Sequence, residues 1–284
     1  MTSADSSAGS AQWRIPVCRL PSVALLTAIA VLALCWTGSA GADAEVSHPA
    51  VPQTGIVPPK NPSRSVAPSP DFLTSSACAS SSDGRACNQR ALKAIAHARK
   101  VLESMSGMSF SLAAYLKLTR AEQLFVTADL ERTNRGLPPA TVLSKSLNKI
   151  ALVGAQKDED PPLSQVPATL PGGGKVVGLG SNWAGGWFNA LGADYGWMYD
   201  DGLKSPNKAC TKSNESACWG HRDNILGTFS SAPACDGGAS ALGMGAGYAA
   251  ASDSQTELFA GVCGKAPTDV VLTWARAKKL LGIK

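Results

Sequence analysis

Residues 218–226 read Cys-Trp-Gly-His-Arg-Asp-Asn-Ile-Leu and gather the side chains best suited to chemistry. An imidazole, a guanidinium, a carboxylate and a carboxamide stand side by side, and apolar Ile225 and Leu226 follow as anchors. The chain has three histidines. His48 falls in a proline-rich tract and His97 lies off the apolar stripe of a helix. His221 is therefore the group to examine for proton, metal or polar-ligand binding, because imidazole titrates near neutrality and ligates metals.

Two chemistries can be weighed on residue types alone. Ser181, His221 and Asp200 name the members of a nucleophilic triad, which would make a groove hydrolase. Gly180-Ser181-Asn182, however, lacks the G-x-S-x-G elbow that strains and exposes a nucleophile. Ser181 can equally cap a turn through its hydroxyl. For a metal, one imidazole with one carboxylate falls short of the three or four protein ligands usual in a tight site, so no metal is expected. Pro171-Gly172-Gly173-Gly174 has neither phosphate-loop nor dinucleotide-loop spacing, and no cofactor is expected.

These residues need a frame. Leu92, Ile95, Leu102 and Met105, with Ala91 and Ala98, recur at helical spacing over Arg85–Met105. Thr119-Arg120-Ala121-Glu122 is a capping box, and Gly136 with Pro138-Pro139 closes the helix it starts. A third helix spans about Ser146 to Gln156. Past His221 the period becomes two: Gly243, Gly245 and Gly247 share one bare face that a helix or ligand can approach closely. A hairpin is expected from this stretch and Glu257–Cys263, then a last helix from about Thr268 to Leu281. Helices first and a short antiparallel sheet later predict an α+β domain.

The ends and the bulk composition bound the function. Arg14 and Arg19 precede an uncharged, Ala/Leu/Val-rich run over 20–38, and small residues follow to Ala44: the pattern of an export signal over residues 1–44. Left uncleaved, that segment is the only membrane contact the sequence suggests. Seven prolines from Pro49 to Pro70 mark residues 45–76 as an extended linker that would hold the folded part away from a membrane or wall. Residues 77–118 read as a helical extension, 119–265 as the main domain and 266–284 as the C-terminal helix. Removing 1–44 takes away Arg14, Arg19, Asp5 and Asp43, so the net charge of +5 is unchanged. No Lys/Arg cluster interleaves with aromatics, which argues against nucleic acid.

Cys78, Cys87, Cys210, Cys218, Cys235 and Cys263 remain beyond the signal. An even number in an exported chain points to disulfides. Six cysteines allow 15 pairings. Sequence neighbours give the simplest set: Cys78–Cys87, Cys210–Cys218 and Cys235–Cys263.

Four segments stand in a telling order: Asn134-Arg135-Gly136-Leu137-Pro138-Pro139, Gly180-Ser181-Asn182-Trp183-Ala184, Trp197-Met198-Tyr199-Asp200-Asp201, and Gly220-His221-Arg222-Asp223-Asn224-Ile225-Leu226, followed by the alternating glycines. This order resembles the bacterial branch of the SCP-like superfamily, the CAP domains of cysteine-rich secretory, antigen-5 and pathogenesis-related proteins. There a G-E-N-x-A segment, a W-M and a G-H-R-x-N-I-L precede a strand of alternating glycines. The resemblance runs from about Thr119 to Cys263 and implies an α-β-α sandwich with a surface groove.

Many members of that family set two histidines and two acidic residues in the groove. His221 fits the histidine of G-H-R-x-N-I-L. The glutamate of G-E-N-x-A is Ser181 here, with Asn182 and Ala184 kept. Asp200 or Asp201 stands near the second acidic position, and the other histidine has no counterpart between Thr119 and Gly220. The resemblance thus implies a secreted or surface-tethered binding or structural module, contacting a lipid, cell-wall or protein ligand through His221, Ser181, Asn182, Trp183 and Asp200.

Overall fold

The computed structural model describes residues 59–65, 78, 81, 83–207, 209–212, 217–227, 229, 235 and 240–284, all within the unit Gly38–Lys284. The expected export signal lies outside the described residues, and the linker is covered only at 59–65.

Helix α1 (Arg85–Glu103) buries Ala91, Ala94, Ile95 and Ala98 and leaves His97 exposed, as its apolar stripe predicts. The short α2 (Leu112–Tyr115) leads to α3 (Arg120–Thr133). Both halves of the capping box form: Thr119 Oγ1 accepts from the Glu122 N–H, and Glu122 Oε2 accepts from the Thr119 N–H at 2.8 Å. Strand β1 (Val142–Ser144) runs directly into α4 (Lys145–Lys157), which Ser144 caps. Then come β2 (Lys175–Gly185), α5 (Ala190–Tyr199), α6 (Gly220–Leu226), β3 (Ser240–Ala249), β4 (Ser254–Cys263), β5 (Val270–Thr273) and α7 (Trp274–Leu281).

The five strands form one sheet in the order β2-β4-β3-β1-β5. The β3–β4 hairpin is antiparallel, as expected, with Met244 opposite Phe259. The sheet is mixed, however, because β1 runs parallel to β3. Residues 180–185, which carry the segment resembling G-E-N-x-A, lie in β2, which pairs antiparallel with β4 over its whole length. The expected helix from Thr268 begins only at Trp274. The run Val270-Val271-Leu272-Thr273 is rich in β-branched residues, fits a pleated edge, and pairs with β1.

Helix α4 covers the face bared by glycine. A Cβ on Gly245 would fall 2.4 Å from the Leu147 carbonyl carbon, and one on Gly247 would fall 2.5 Å from the Leu152 nitrogen. The other face carries Met244, Ala246 and Phe259, which join α1, α3, α5 and α6 in one core. Helix α5 is buried at all ten residues.

Helix α1 belongs to this core and is tied to it by charge. Arg135 and Arg222 both donate to Glu103, and Arg135 also pairs with Glu131. Glu131 accepts from the Tyr199 hydroxyl at 2.6 Å. Breaking one member of such a buried network costs several kcal/mol, about 3–5. Three disulfides close local loops, Cys78–Cys87, Cys210–Cys218 and Cys235–Cys263. Among the described residues no helix is long and apolar enough to cross a membrane.

Candidate functional site

The site is built where the end of α5 meets the start of α6. Asp200 ends α5, and the chain turns through Asp201 and Gly202. Trp219, in a left-handed conformation at φ 69°, starts α6 and donates its N–H to the Asp201 carbonyl at 3.2 Å. Asp201 then grips His221 twice. Its Oδ2 accepts the His221 backbone N–H at 3.1 Å, and its Oδ1 meets ring Nδ1 at 2.7 Å. Asn207 adds a third bond to Asp201, from Nδ2 to Oδ1 at 2.8 Å.

From the sheet side, Asn182 holds the same helix. Its Nδ2 donates to the His221 carbonyl at 3.1 Å, and its Oδ1 accepts from Asn224 Nδ2 at 3.0 Å. Asn224 also donates to the Ser181 carbonyl at 2.6 Å, so it ties two elements together rather than serving only a turn. Behind Asn182 lies buried Glu257, whose Oε2 is 3.4 Å from Asn182 Nδ2. Burial pushes the Glu257 carboxyl well above its ordinary pKa. Arg132 satisfies the C-terminal end of α6, donating to the carbonyls of Ile225 at 2.7 Å and Gly227 at 2.8 Å.

Arg222 is fully buried and donates to the Met198 carbonyl and to Glu103. Asp223 accepts from Asn61 Nδ2 at 2.8 Å. The Gly202 N–H donates to Ser65 Oγ at 2.8 Å. Residues 59–65 of the proline tract therefore lie against both walls of the site, where the sequence suggested a spacer standing clear of the fold.

The two carboxylates differ sharply. Asp201 has three partners, whereas neither oxygen of Asp200 has one among the described residues, although Asp200 is only 2 % exposed. Burial, with Asp201 next door, pushes the Asp200 carboxyl up to about 7. For His221, burial pulls the pKa down, and the charge and hydrogen bond of Asp201 more than reverse this, leaving it above its ordinary value. With Nδ1 engaged, Nε2 is free of protein partners among the described residues.

His221, Asp200 and Asp201 line a cavity of about 20 Å³ with Trp183, Trp187, Gly196, Trp197, Pro206 and Asn207. That is room for one water-sized group. Trp183 borders it through its main chain, its carbonyl accepting from Trp197 Nε1, while its indole lies on the α4 face and donates to Ser254 Oγ; Trp187 and Trp197 are buried and line the cavity as well.

Ser181 does not join them. It pairs with Leu258 across β2 and β4, and Leu258 packs with Leu147 and Ala151 of α4. Strand alternation puts Ser181 on the face opposite Asn182, and among the described residues no hydrogen bond joins it to His221. The acid on His221 is Asp201, not Asp200. The three named triad residues are not assembled.

Sequence reasoning missed Asn207 and the division of labour between Asp200 and Asp201. Two adjacent aspartates carry no local signal of which one turns toward an imidazole 20 positions away. Among the described residues no group of three His, Cys, Asp or Glu side chains could hold a metal ion. No protein-family model, curated protein or solved structure matches this chain.

Proposed function

We propose that this chain is an exported, disulfide-stapled domain of the CAP type that works as a binding or structural module rather than as a hydrolase. One observation carries the reading: His221 is locked by Asp201, its Nε2 has no partner among the described residues, and the water-sized cavity it lines has no serine, threonine or cysteine among its described lining residues. A nucleophile within hydrogen-bond reach of the base is what acyl transfer requires. The layering supports the CAP resemblance, with α4 on one face of the sheet and α3, α5 and α6 on the other. The disulfides are compatible with an extracytoplasmic location. The resemblance suggests a lipid, a wall polymer or another protein as ligand.

The test is turnover. Wild type and His221→Ala are incubated with chromogenic esters, peptides and phosphoesters, and sedimented with lipid vesicles or isolated wall polymer. Cosedimentation without His221-dependent hydrolysis is expected. Hydrolysis that disappears in the variant would overturn the reading and restore a groove hydrolase.

A further inference from the structure

The cavity beside His221 collects unmet polar atoms of a single kind. Asp200 and His221 are each 2 % exposed, and neither Asp200 oxygen nor His221 Nε2 has a partner among the described residues. Because Nδ1 faces Asp201, the neutral ring carries its hydrogen there and presents a lone pair at Nε2. An ionised Asp200 only accepts.

Among the described residues, three side-chain donors beside the cavity are engaged elsewhere. Asn207 Nδ2 serves Asp201 and the Ala217 carbonyl. Trp197 Nε1 donates to the Trp183 carbonyl at 3.0 Å, and Trp183 Nε1 to Ser254 Oγ at 2.7 Å. What remains is a space of about 20 Å³ bounded by acceptors and indole surface.

That combination selects its occupant. A metal ion asks for three or more protein ligands, and the described residues offer no such group. Water fits the volume but brings two donors and no charge. A primary ammonium is equally small, brings three donors and a full positive charge, and is attracted by indole faces.

We propose that this cavity recognises the primary ammonium head of an amine ligand, with Asp200 and His221 Nε2 as acceptors and Trp187 and Trp197 as the aromatic wall. The proposal rests on the reading of the chain as a binding module and gives that module a ligand class. The carbon bearing the ammonium stays at the mouth. A quaternary ammonium is too large for the space and has no N–H to donate.

The disulfide-bonded protein is titrated with methylammonium chloride, and tryptophan fluorescence is followed from about pH 7 to about pH 9.5. Asp200, pushed up to about 7, is ionised over the upper part of that range, and binding should strengthen further as His221, raised above its ordinary value by Asp201, loses its ring proton. Tetramethylammonium and sodium chloride at the same ionic strength are the controls. A saturable response to methylammonium is expected, with none to tetramethylammonium and at least tenfold weaker binding in Asp200→Asn. Should that variant not fold, His221→Gln carries the same expectation. Parallel titrations with ethanolamine and with Nα-acetyl-lysine methylamide tell an amino-alcohol headgroup from a peptide side chain.

No saturable methylammonium response, an equal response to tetramethylammonium, or wild-type binding by both variants would overturn the proposal. Any of these leaves the hydrolysis result of the preceding section untouched, so the two failures are distinguishable.

Discussion

Asp201 holds His221 at two points, main-chain N–H and ring Nδ1, so one carboxylate fixes both the position of the helix start and the tautomer of the imidazole. The pairing also sets the sign of a pH effect. The folded pKa of His221 lies above its ordinary value of about 6.5. The stability this group contributes is therefore complete below about pH 6.5 and is lost as pH rises through the folded pKa.

Replacing Asp201 removes that dependence. In Asp201→Asn the burial effect on His221 is opposed only by the more weakly acting charge of Asp160, so its pKa should fall below the wild-type value. Stability should drop by about 1–3 kcal/mol as the hydrogen bonds to Asp201 weaken. An NMR titration of the His221 ring with urea unfolding at several pH values checks both. An unshifted His221 titration would contradict the assignment.

Asp200→Asn should act in the opposite direction on stability. A carboxyl raised to about 7 penalises the folded state progressively as pH climbs from about 4, the unfolded value, through 7. Near pH 8 the amide should unfold later in urea than wild type, by about 1–3 kcal/mol. At pH 4 the difference should vanish. A variant less stable at pH 8 would show that Asp200 has a stabilising partner.

The glycine face of β3 is a packing requirement. Gly245→Ala places a methyl 2.4 Å from the Leu147 carbonyl carbon, against helix backbone that cannot swing aside. A loss of about 1–3 kcal/mol is expected from the forced separation of strand and helix. Urea midpoints measured beside Ala241→Gly, at a partly buried β3 position, separate this overlap from a general effect of strand composition.

Helix α1 was read from sequence as part of an extension, yet Glu103 receives both Arg135 and Arg222 and Ile95 sits in the shared core. A truncated chain beginning at Thr119 should therefore fail to give a sharp unfolding transition. In the full chain, Glu103→Gln should cost about 3–5 kcal/mol, since it leaves buried Arg222 without its acidic partner while Arg135 keeps Glu131. Cooperative unfolding of the truncated chain at wild-type temperature would make α1 dispensable.

Local rules made part of this molecule legible. The capping box at Thr119 and Glu122, the bare glycine row and the neighbour-paired cysteines each act over a short range, and each appears as expected. Elements whose signal is tertiary stayed hidden. β2 contains Gly178 and Gly180, which weaken strand propensity, and the close approach of Phe229 to both explains why glycine is there. α5 is buried all round, so it has no polar face to reveal a helical period. The contacts that define the site join residues 20, 39 and 119 positions apart, beyond the reach of any spacing rule.

The strand order has a consequence for how the molecule is made. β1 and β2 precede all their partners in the chain, since β1 lies beside β3 and β5, and β2 beside β4. Neither strand can find a neighbour until residue 240 or beyond has left the ribosome. The sheet stays unpaired until then, which lengthens the window for aggregation. The β3–β4 hairpin, third and fourth of the five strands, is the template on which β1 and β2 close.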